Sequence, residues 1–549
     1  MKLNALLRER LGSGLKRKAI VKCSQWAERY RVMGAPFSGN WSFRFFPWLR
    51  EMHDSDAEEN IGMKAAQVGY TETMLNRAFF YMDIKGLNVL YLLPAADPDA
   101  SDFSARAFDP ALEMSPHLNA MFNDVRNVGH KRAGSANLFV RGTKSRTGLK
   151  SIPAALLIFD ELEEMVQQNL FLAEERTGGQ LEWQKWKIST PKIEDAGIHA
   201  LFKASTQEHF LFRCHSCSKL IEFKFPESLV ITATSLLDLD GIRKSHYQCT
   251  ECKAVLTHEE KEFYLKDGIW VPNNKSERRG FSINRMYSSA KSGMAPKFAE
   301  MYLKSLEDPW AEQELFNSWI GIAHVVKGGQ INDQDLQNML KGHRTGEYNP
   351  DRLIVMGVDV GTYFHFEVCE YAIHDGPTYD INTNARARVI ESSKVRNPED
   401  LDLLMQRYPI RMCVIDANPE KRTALNFANR HPGRVKLCYY GRGVNGKTIK
   451  ESEDDNEPTI TVDRTAWLDI SLGRVKKGTV DYPLDTTLET KAHLKALVRI
   501  FEKDVDGNPI ARWVNGNKDD HAAHARNYAE IALPLAYSQA TSQNISEVL

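Results

Sequence analysis

No apolar run in these 549 residues approaches the roughly 20 that a membrane-spanning helix needs. Met1 to Arg10 is interrupted by Lys2, Arg8 and Arg10, so neither a span nor a secretory leader is expected and the chain reads as cytoplasmic. A charge excess is missing too. With 71 Lys and Arg against 72 Asp and Glu, any contact with nucleic acid must come from local basic patches rather than a global field. Cysteine is sparse: of eight, Cys214, Cys217, Cys249 and Cys252 form two C-x-x-C pairs, while Cys23, Cys369, Cys413 and Cys438 are scattered among apolar residues. That pattern suits a reducing compartment with one metal site, not a disulfide framework. The length predicts roughly three or four domains with material for large cores.

Also lacking is a complete phosphate loop, although most of one is present. Laid on G-x-x-x-x-G-K-[ST], the stretch Met63 to Thr73 places Gly69 at the second glycine and Thr71 at the Mg²⁺-binding hydroxyl. Lys64 replaces the first glycine and Tyr70 the lysine, so the one cation able to reach the β- and γ-phosphates enters from the start of the loop. Asn60 to Met63 reads as a strand, and Met74, Leu75, Ala78, Phe79 and Met82 recur at helical spacing. Backbone N–H groups would then converge on an anion at a helix N-terminus, Gly69 and Tyr70 among the residues facing it. An ordinary turn before an amphipathic helix explains the same stretch equally well. Upstream, the aromatics Trp41, Phe43, Phe45, Phe46 and Trp48 are read either as a stacking surface for a base or as a hydrophobic plug.

Downstream, strand and helix signals alternate from Leu87 onward, which predicts a parallel sheet covered on both faces. Ala154 to Phe159 is an apolar strand ending in Asp160 and Glu161. There a first carboxylate holds the Mg²⁺ shell and a second orients or deprotonates water. A helix N-cap is the plain alternative, since Glu163 and Glu164 follow. Trp186 to Pro191 reads as a further strand whose end, Ser189-Thr190, can sense a γ-phosphate. Lys131, Arg132, Arg141, Lys144, Arg146 and Lys150 precede the acidic pair; a solvated face explains them more readily than a phosphate contact. The two C-x-x-C turns predict a closed, structural four-thiolate Zn²⁺ site at Cys214, Cys217, Cys249 and Cys252.

Near Arg352 a second α/β region begins. Leu353 to Asp359 and Arg411 to Asp416 are apolar strands carrying an aspartate, and Asp519-Asp520-His521 opens a helix. Singly, these aspartates read as a strand-end turn, an Asx turn and a helix N-cap. Together Asp359, Asp416 and Asp520 match the way an RNase H-like sheet gathers carboxylates around two metals roughly 3.5–4 Å apart, which activate water and stabilise the leaving oxygen.

With these parts in order, the chain resembles the large terminase subunit of tailed bacteriophages, in particular its lambda-type branch. The residues that carry the resemblance are Lys64-Ala65-Ala66-Gln67-Val68-Gly69-Tyr70-Thr71, Phe159-Asp160-Glu161, Ser189-Thr190-Pro191, the two cysteine pairs, Gly357-Val358-Asp359 and Asp519-Asp520-His521-Ala522. It implies an α/β chain joining a P-loop (ASCE-type) ATPase domain to an RNase H-like nuclease domain, a motor that threads double-stranded viral DNA into a procapsid and cuts it. It implies that Lys64, Gly69 and Thr71 bind ATP and Mg²⁺, that Asp160 holds the metal and Glu161 is the catalytic carboxylate, and that Ser189-Thr190-Pro191 couples. Asp359, Asp416 and Asp520 would hold the nuclease's Mg²⁺ or Mn²⁺. The implied partners are the portal protein, the small terminase subunit and further copies in a ring, with no membrane, in the host cytoplasm. The chain departs from the family's D-H-x-x-D-A-x-R-Y phrase at His524, which stands where a second aspartate is usual.

The expected domains are an ATPase at 1–205, a zinc-stapled insertion at 206–260, a helical linker at 261–345, the nuclease at 346–535 and a flexible tail at 536–549. Two other classes fit parts of the pattern: a helicase-like DNA-dependent ATPase with a non-cleaving DNA-binding C-terminal domain, and a zinc-stapled scaffold with a dead phosphate loop.

Overall fold

The computed structural model describes residues 21–122, 125–150, 152–374, 380–441, 444–452, 457–503, 508–516 and 518–546. The start of the chain and residues 547–549 of the expected tail lie outside them. The chain forms two compact units, Met1–His324 and Val325–Leu549. No described helix is long and apolar enough to cross a membrane.

The first unit is built on an 11-stranded sheet. Its central strands are β1 (Glu59–Lys64), β2 (Val89–Leu93), β3 (Ala136–Gly142), β4 (Leu156–Asp160), β5 (Gln184–Ser189), β6 (Glu208–Arg213) and β7 (Arg279–Ile283). They run parallel in the order β6-β7-β1-β5-β4-β2-β3. Every residue of β2 and of β4 is buried, as expected of strands covered on both faces, whose sequences are continuously apolar. Because the strands are parallel and in register, Met63 pairs with Ser189, Asp160 with Ile188 and Lys64 with Ile283. The ends of β1, β4, β5 and β7 therefore lie on one edge.

Two expected boundaries move. Strand β6 sits inside the expected insertion and β7 inside the expected linker, yet both belong to the main sheet. Pairing across distant segments decides this, and it leaves no local signal. What the sheet excludes is the three-stranded sheet Leu229–Val230, His246–Gln248 and Val255–Leu256.

The second unit has an eight-stranded sheet. Strands β8 (Leu353–Val360), β9 (Phe364–Ile373) and β10 (Ala385–Val395) form an antiparallel meander, and β11 (Met412–Asp416) and β12 (Val435–Tyr440) continue parallel to β8 on its other side. The order is thus β10-β9-β8-β11-β12. Helix α1 of this unit, His521–Ser546, crosses β8 at Gly357, where a Cβ would lie 2.1 Å from the Ala529 nitrogen. Only glycine permits that approach. The helix runs through most of the segment expected to be a tail.

Candidate functional site

Strand β1 delivers Lys64 to the sheet edge, and the chain turns through Ala65 to Gly69 into the helix Tyr70–Phe80. Gly69 has φ +87°, and a Cβ there would meet the Leu49 side chain at 2.7 Å, so backbone conformation and space both demand glycine. The loop is pinned by its neighbours. Ala65 N–H donates to Ile283 O (2.9 Å), Ala66 N–H to Ser318 O (2.8 Å), and the Trp48 indole to Val68 O (3.0 Å). The N–H groups of Gln67, Val68 and Gly69 have no backbone partner among the described residues. Free donors before a helix start form an anion cradle.

Tyr70 does not face that cradle. It is 1% exposed, its ring fills the space above Gly62, where a Cβ would come within 2.9 Å of it, and its hydroxyl is buried with no hydrogen-bond partner among the described residues. The position that carries lysine in the standard loop has become a core position here. This corrects the expectation that Tyr70 contacts nucleotide.

Opposite the loop, β4 ends at Asp160, 2% exposed, with Oδ2 accepting from the Tyr91 hydroxyl at 2.6 Å. Burial, then the neighbouring Glu161 charge, push its pKa up to about 6, while the Lys64 charge, the Tyr91 hydrogen bond and the nearby Thr71 hydroxyl work the other way. Its Oδ1 is buried without a partner among the described residues. Glu161 takes a left-handed conformation, φ 63°, which turns its side chain back over the edge to meet Lys64 Nζ at 2.8 Å. Burial depresses the Lys64 pKa, but Glu161 and Asp160 more than offset it and the ammonium stands above its ordinary value. The edge thus brings together Lys64, Thr71, Asp160 and Glu161.

The strand end at β5 contributes through Ser189, whose Oγ accepts from Glu163 N–H (3.1 Å); Thr190 beside it is half-buried. Glu163 in turn accepts from Ile198 N–H (2.7 Å), and burial lifts its pKa to about 7. In the sequence Glu163 is one acid in a run, with no local signal that singles it out. Its role depends on Ile198, far along the chain.

The aromatic run divides between its two readings. Trp41, Phe43 and Trp48 are core. Phe37, Phe45 and Phe46 are half-buried and, with Gln67, Gly69 and Arg106, line a cavity of about 810 Å³ beside the loop. The basic stretch divides as well: Lys131 is buried on Asp109 (2.7 Å) and Arg141 caps Gly129 and Val140 carbonyls, whereas Lys144, Arg146 and Lys150 are exposed.

The four paired cysteines lie with their sulfurs within 4.8 Å of one another and could hold a metal ion. Cys214 and Cys252 are 3.8 Å apart, and Cys217 and Cys249 3.9 Å. The two turns repeat each other. Cys214 N–H reaches Lys219 O and Cys249 N–H reaches Ala254 O, and Ser218 and Lys253 take left-handed φ of 59° and 62° and donate back to Cys214 O and Cys249 O.

In the second unit, Val358 pairs with Ile415, which sets Asp359 and Asp416 side by side on adjacent strands. Burial, with backbone help from Asn418 opposing it, lifts Asp416 to about pKa 6, and the Asp359 charge adds to the rise. Asp359 Oδ2 meets His521 Nδ1 at 2.8 Å, and Asp520 Oδ2 meets His524 Nε2 at 3.4 Å. Two of the three aspartates expected around the metals thus carry a histidine partner. Among the described residues the cysteines alone form a cluster within 4.8 Å, so Asp359, Asp416 and Asp520 do not converge that closely. His524, the departure from the family phrase, is further held by the Tyr440 hydroxyl (3.0 Å) and Arg464 (3.3 Å). Asp519 is exposed and Asp520 half-buried. Arg526, which lies in the same phrase, is a core residue, fully buried between Glu367 (2.7 Å) and Glu530 (2.5 Å).

Residues 35–270 match the family model described as phage terminase large subunit gpA, ATPase domain. The terminase large subunit of Escherichia phage lambda is similar to the chain at 22% identity over 339 residues, covering 55% of this chain and 52% of that protein. The chain thus spans about half the length of the curated relative it matches. Among solved structures, the large terminase of bacteriophage HK97 is similar over 93% of this chain and 98% of its own, at 10% identity and TM-score 0.47. The large terminase nuclease from thermophilic phage G20c is similar over 36% and 94%, at 15% identity and TM-score 0.22.

Proposed function

We propose that this chain, a relative of phage large terminase subunits whose ATPase domain corresponds to residues 35–270, is a DNA-packaging motor that hydrolyses ATP and cuts DNA. The observation that carries the first half is the meeting of Lys64, Thr71, Asp160 and Glu161 on one sheet edge beside a loop with free N–H groups.

ATP would lie with its phosphates on Gln67 to Gly69 and its base toward Phe37, Phe45 and Phe46. Thr71 and the unpartnered Oδ1 of Asp160 are suited to hold Mg²⁺, which supplies charge neutralisation at the phosphates when bound. Lys64 is paired with Glu161, and a triphosphate offers it a stronger anionic partner. A Glu161 relieved of the ammonium is a better base for the attacking water. Ser189, bonded to the backbone beside that base, and Thr190 would report loss of the γ-phosphate. Replacing Glu161 by Gln should leave ATP binding intact and stop turnover and packaging; full ATPase activity in that variant would overturn the assignment.

The cysteine site is proposed to be a structural Zn²⁺ site. Zinc–thiolate bonds of about 2.3 Å in a tetrahedron place sulfurs about 3.8 Å apart, close to the separations here. Metal analysis should find one Zn²⁺ per chain, and a fully folded metal-free preparation would discard the site.

For DNA cutting, the observation that supports the RNase H-like reading is a meander with two further parallel strands and aspartates at neighbouring strand ends. Asp359, Asp416 and Asp520 would hold Mg²⁺ or Mn²⁺, whose charge would assist attack on the phosphodiester. The histidine partners of Asp359 and Asp520 favour the second reading, a helicase-like ATPase whose C-terminal unit binds DNA without cutting it. Metal-dependent nicking of plasmid by the full chain separates the two. The proposed partners are those the terminase resemblance implies: double-stranded DNA, the portal, the small terminase subunit and further copies in a ring, in the host cytoplasm.

A further inference from the structure

A cation has disappeared from the phosphate loop, since Tyr70 is buried in the core and Lys64 is engaged with Glu161. Another lies against the loop from a distant part of the sequence. Strand β7 pairs with β1 so that Ile283 is level with Lys64, and Arg285, two residues further on, reaches the loop itself. Its Nε donates to Ala66 O (3.2 Å) and its Nη2 to Ser318 O (3.3 Å), the carbonyl that also receives Ala66 N–H. The guanidinium lies 4.5 Å from the centroid of the Trp319 ring, and Gly321 lies so close that a Cβ would be 2.6 Å from Ala65 N.

Arg285 is 7% exposed. Its hydrogen bonds go to neutral carbonyls, and among the described residues no carboxylate comes within ion-pair distance; Glu314 acts only at longer range. Burial accordingly lowers its pKa. Buried charges are ordinarily paired, and this one has a neutral clamp, a ring face and an anion-binding loop for company.

We infer that Arg285 is the positioning residue of the phosphate loop, fixing its path through Ala66 and supplying, from beneath the loop, the positive charge that the polyphosphate of a nucleotide compensates. This rests on the ATP-binding reading and deepens it. The effect is electrostatic, so it grows with the number of phosphates, whereas a role confined to holding the fold would weaken all nucleotides alike.

The test is equilibrium binding of ATP, ADP and AMP to the full chain by titration calorimetry, in wild type, Arg285→Gln and Arg285→Lys. Arg285→Gln should weaken ATP about ten- to a hundredfold, ADP less and AMP within about twofold. Arg285→Lys keeps the charge and loses the fork, so ATP should remain within about threefold of wild type. Equal loss for the three nucleotides in either variant, or unchanged ATP affinity in Arg285→Gln, overturns the inference. If Arg285→Gln does not fold, Arg285→Lys decides alone: ATP affinity within about threefold of wild type supports the charge, whereas loss of all three nucleotides together shows a purely geometric clamp and overturns the inference. Absence of ATP binding in wild type would instead sink the ATPase reading.

Discussion

The proposed phosphate loop of the first unit and the aspartate edge of the second are both built at the carboxyl ends of parallel strands, yet they balance charge differently. In the first, a buried lysine meets Glu161 and the backbone contributes free N–H groups. In the second, histidines meet Asp359 and Asp520, while Asp416 is left with a raised pKa. A lysine pair stays charged through neutral pH, whereas the hydrogen bond to Asp359 raises the His521 pKa, so that pair loses its compensating charge only as pH rises. The same strand-end geometry thus carries a lysine-compensated carboxylate in one unit and histidine-compensated carboxylates in the other.

The comparison breaks most sharply at Lys64. Lys64→Ala should lower ATP turnover on the order of 10²–10³-fold with the fold retained, because Glu161 is 42% exposed and stays solvated without its partner. Adding Tyr70→Lys should not rescue it, since that position is core. Normal turnover in Lys64→Ala would show that another cation serves the phosphates.

Next in size is the separation of activities. Asp359→Ala and Asp416→Ala should remove plasmid cleavage by on the order of 10²-fold or more and leave ATP turnover within about twofold, because the two edges belong to different compact units. Both rates would be read on the same preparations. Undiminished cutting would remove the nuclease assignment, and joint loss would point to one coupled site.

A smaller effect sharpens the link between Glu161 and the β5 end. Glu163 has a folded pKa of about 7 against an ordinary 4.5. The folded state therefore binds more protons than the unfolded one between those values, so stability falls as pH rises from about 4.5 to about 7 and is flat above. At about 1.4 kcal/mol per unit, the total is on the order of 3 kcal/mol. Glu163→Gln keeps an acceptor for Ile198 and should flatten that slope in denaturant melts; parallel curves for the two proteins would dismiss it.

The smallest expected change is at Tyr70. Tyr70→Phe removes a buried hydroxyl without a partner, so stability should rise by about 0–1 kcal/mol and ATP affinity stay unchanged. A loss of affinity beyond about threefold would return Tyr70 to the nucleotide.

By itself the sequence determined the parts whose signal is local. Strands β4, β8 and β11 are apolar runs that carry Asp160, Asp359 and Asp416 at or next to their ends, and such a run with its acidic residue can be read without knowing any neighbour. The cysteine turns are likewise local, each pair spaced to set two sulfurs on one ion. Tertiary structure decided the rest, because it depends on which distant segments meet. The pairing of β7 with β1 enlarged the first sheet and brought Arg285 to Ala66; Gly62 made the cavity that buries Tyr70; the close crossing of α1 at Gly357 set His521 on Asp359. Periodicity and motif record what a residue's own element requires. Burial and charge compensation are properties of pairs separated by tens to hundreds of residues, and they exist only once the chain has folded.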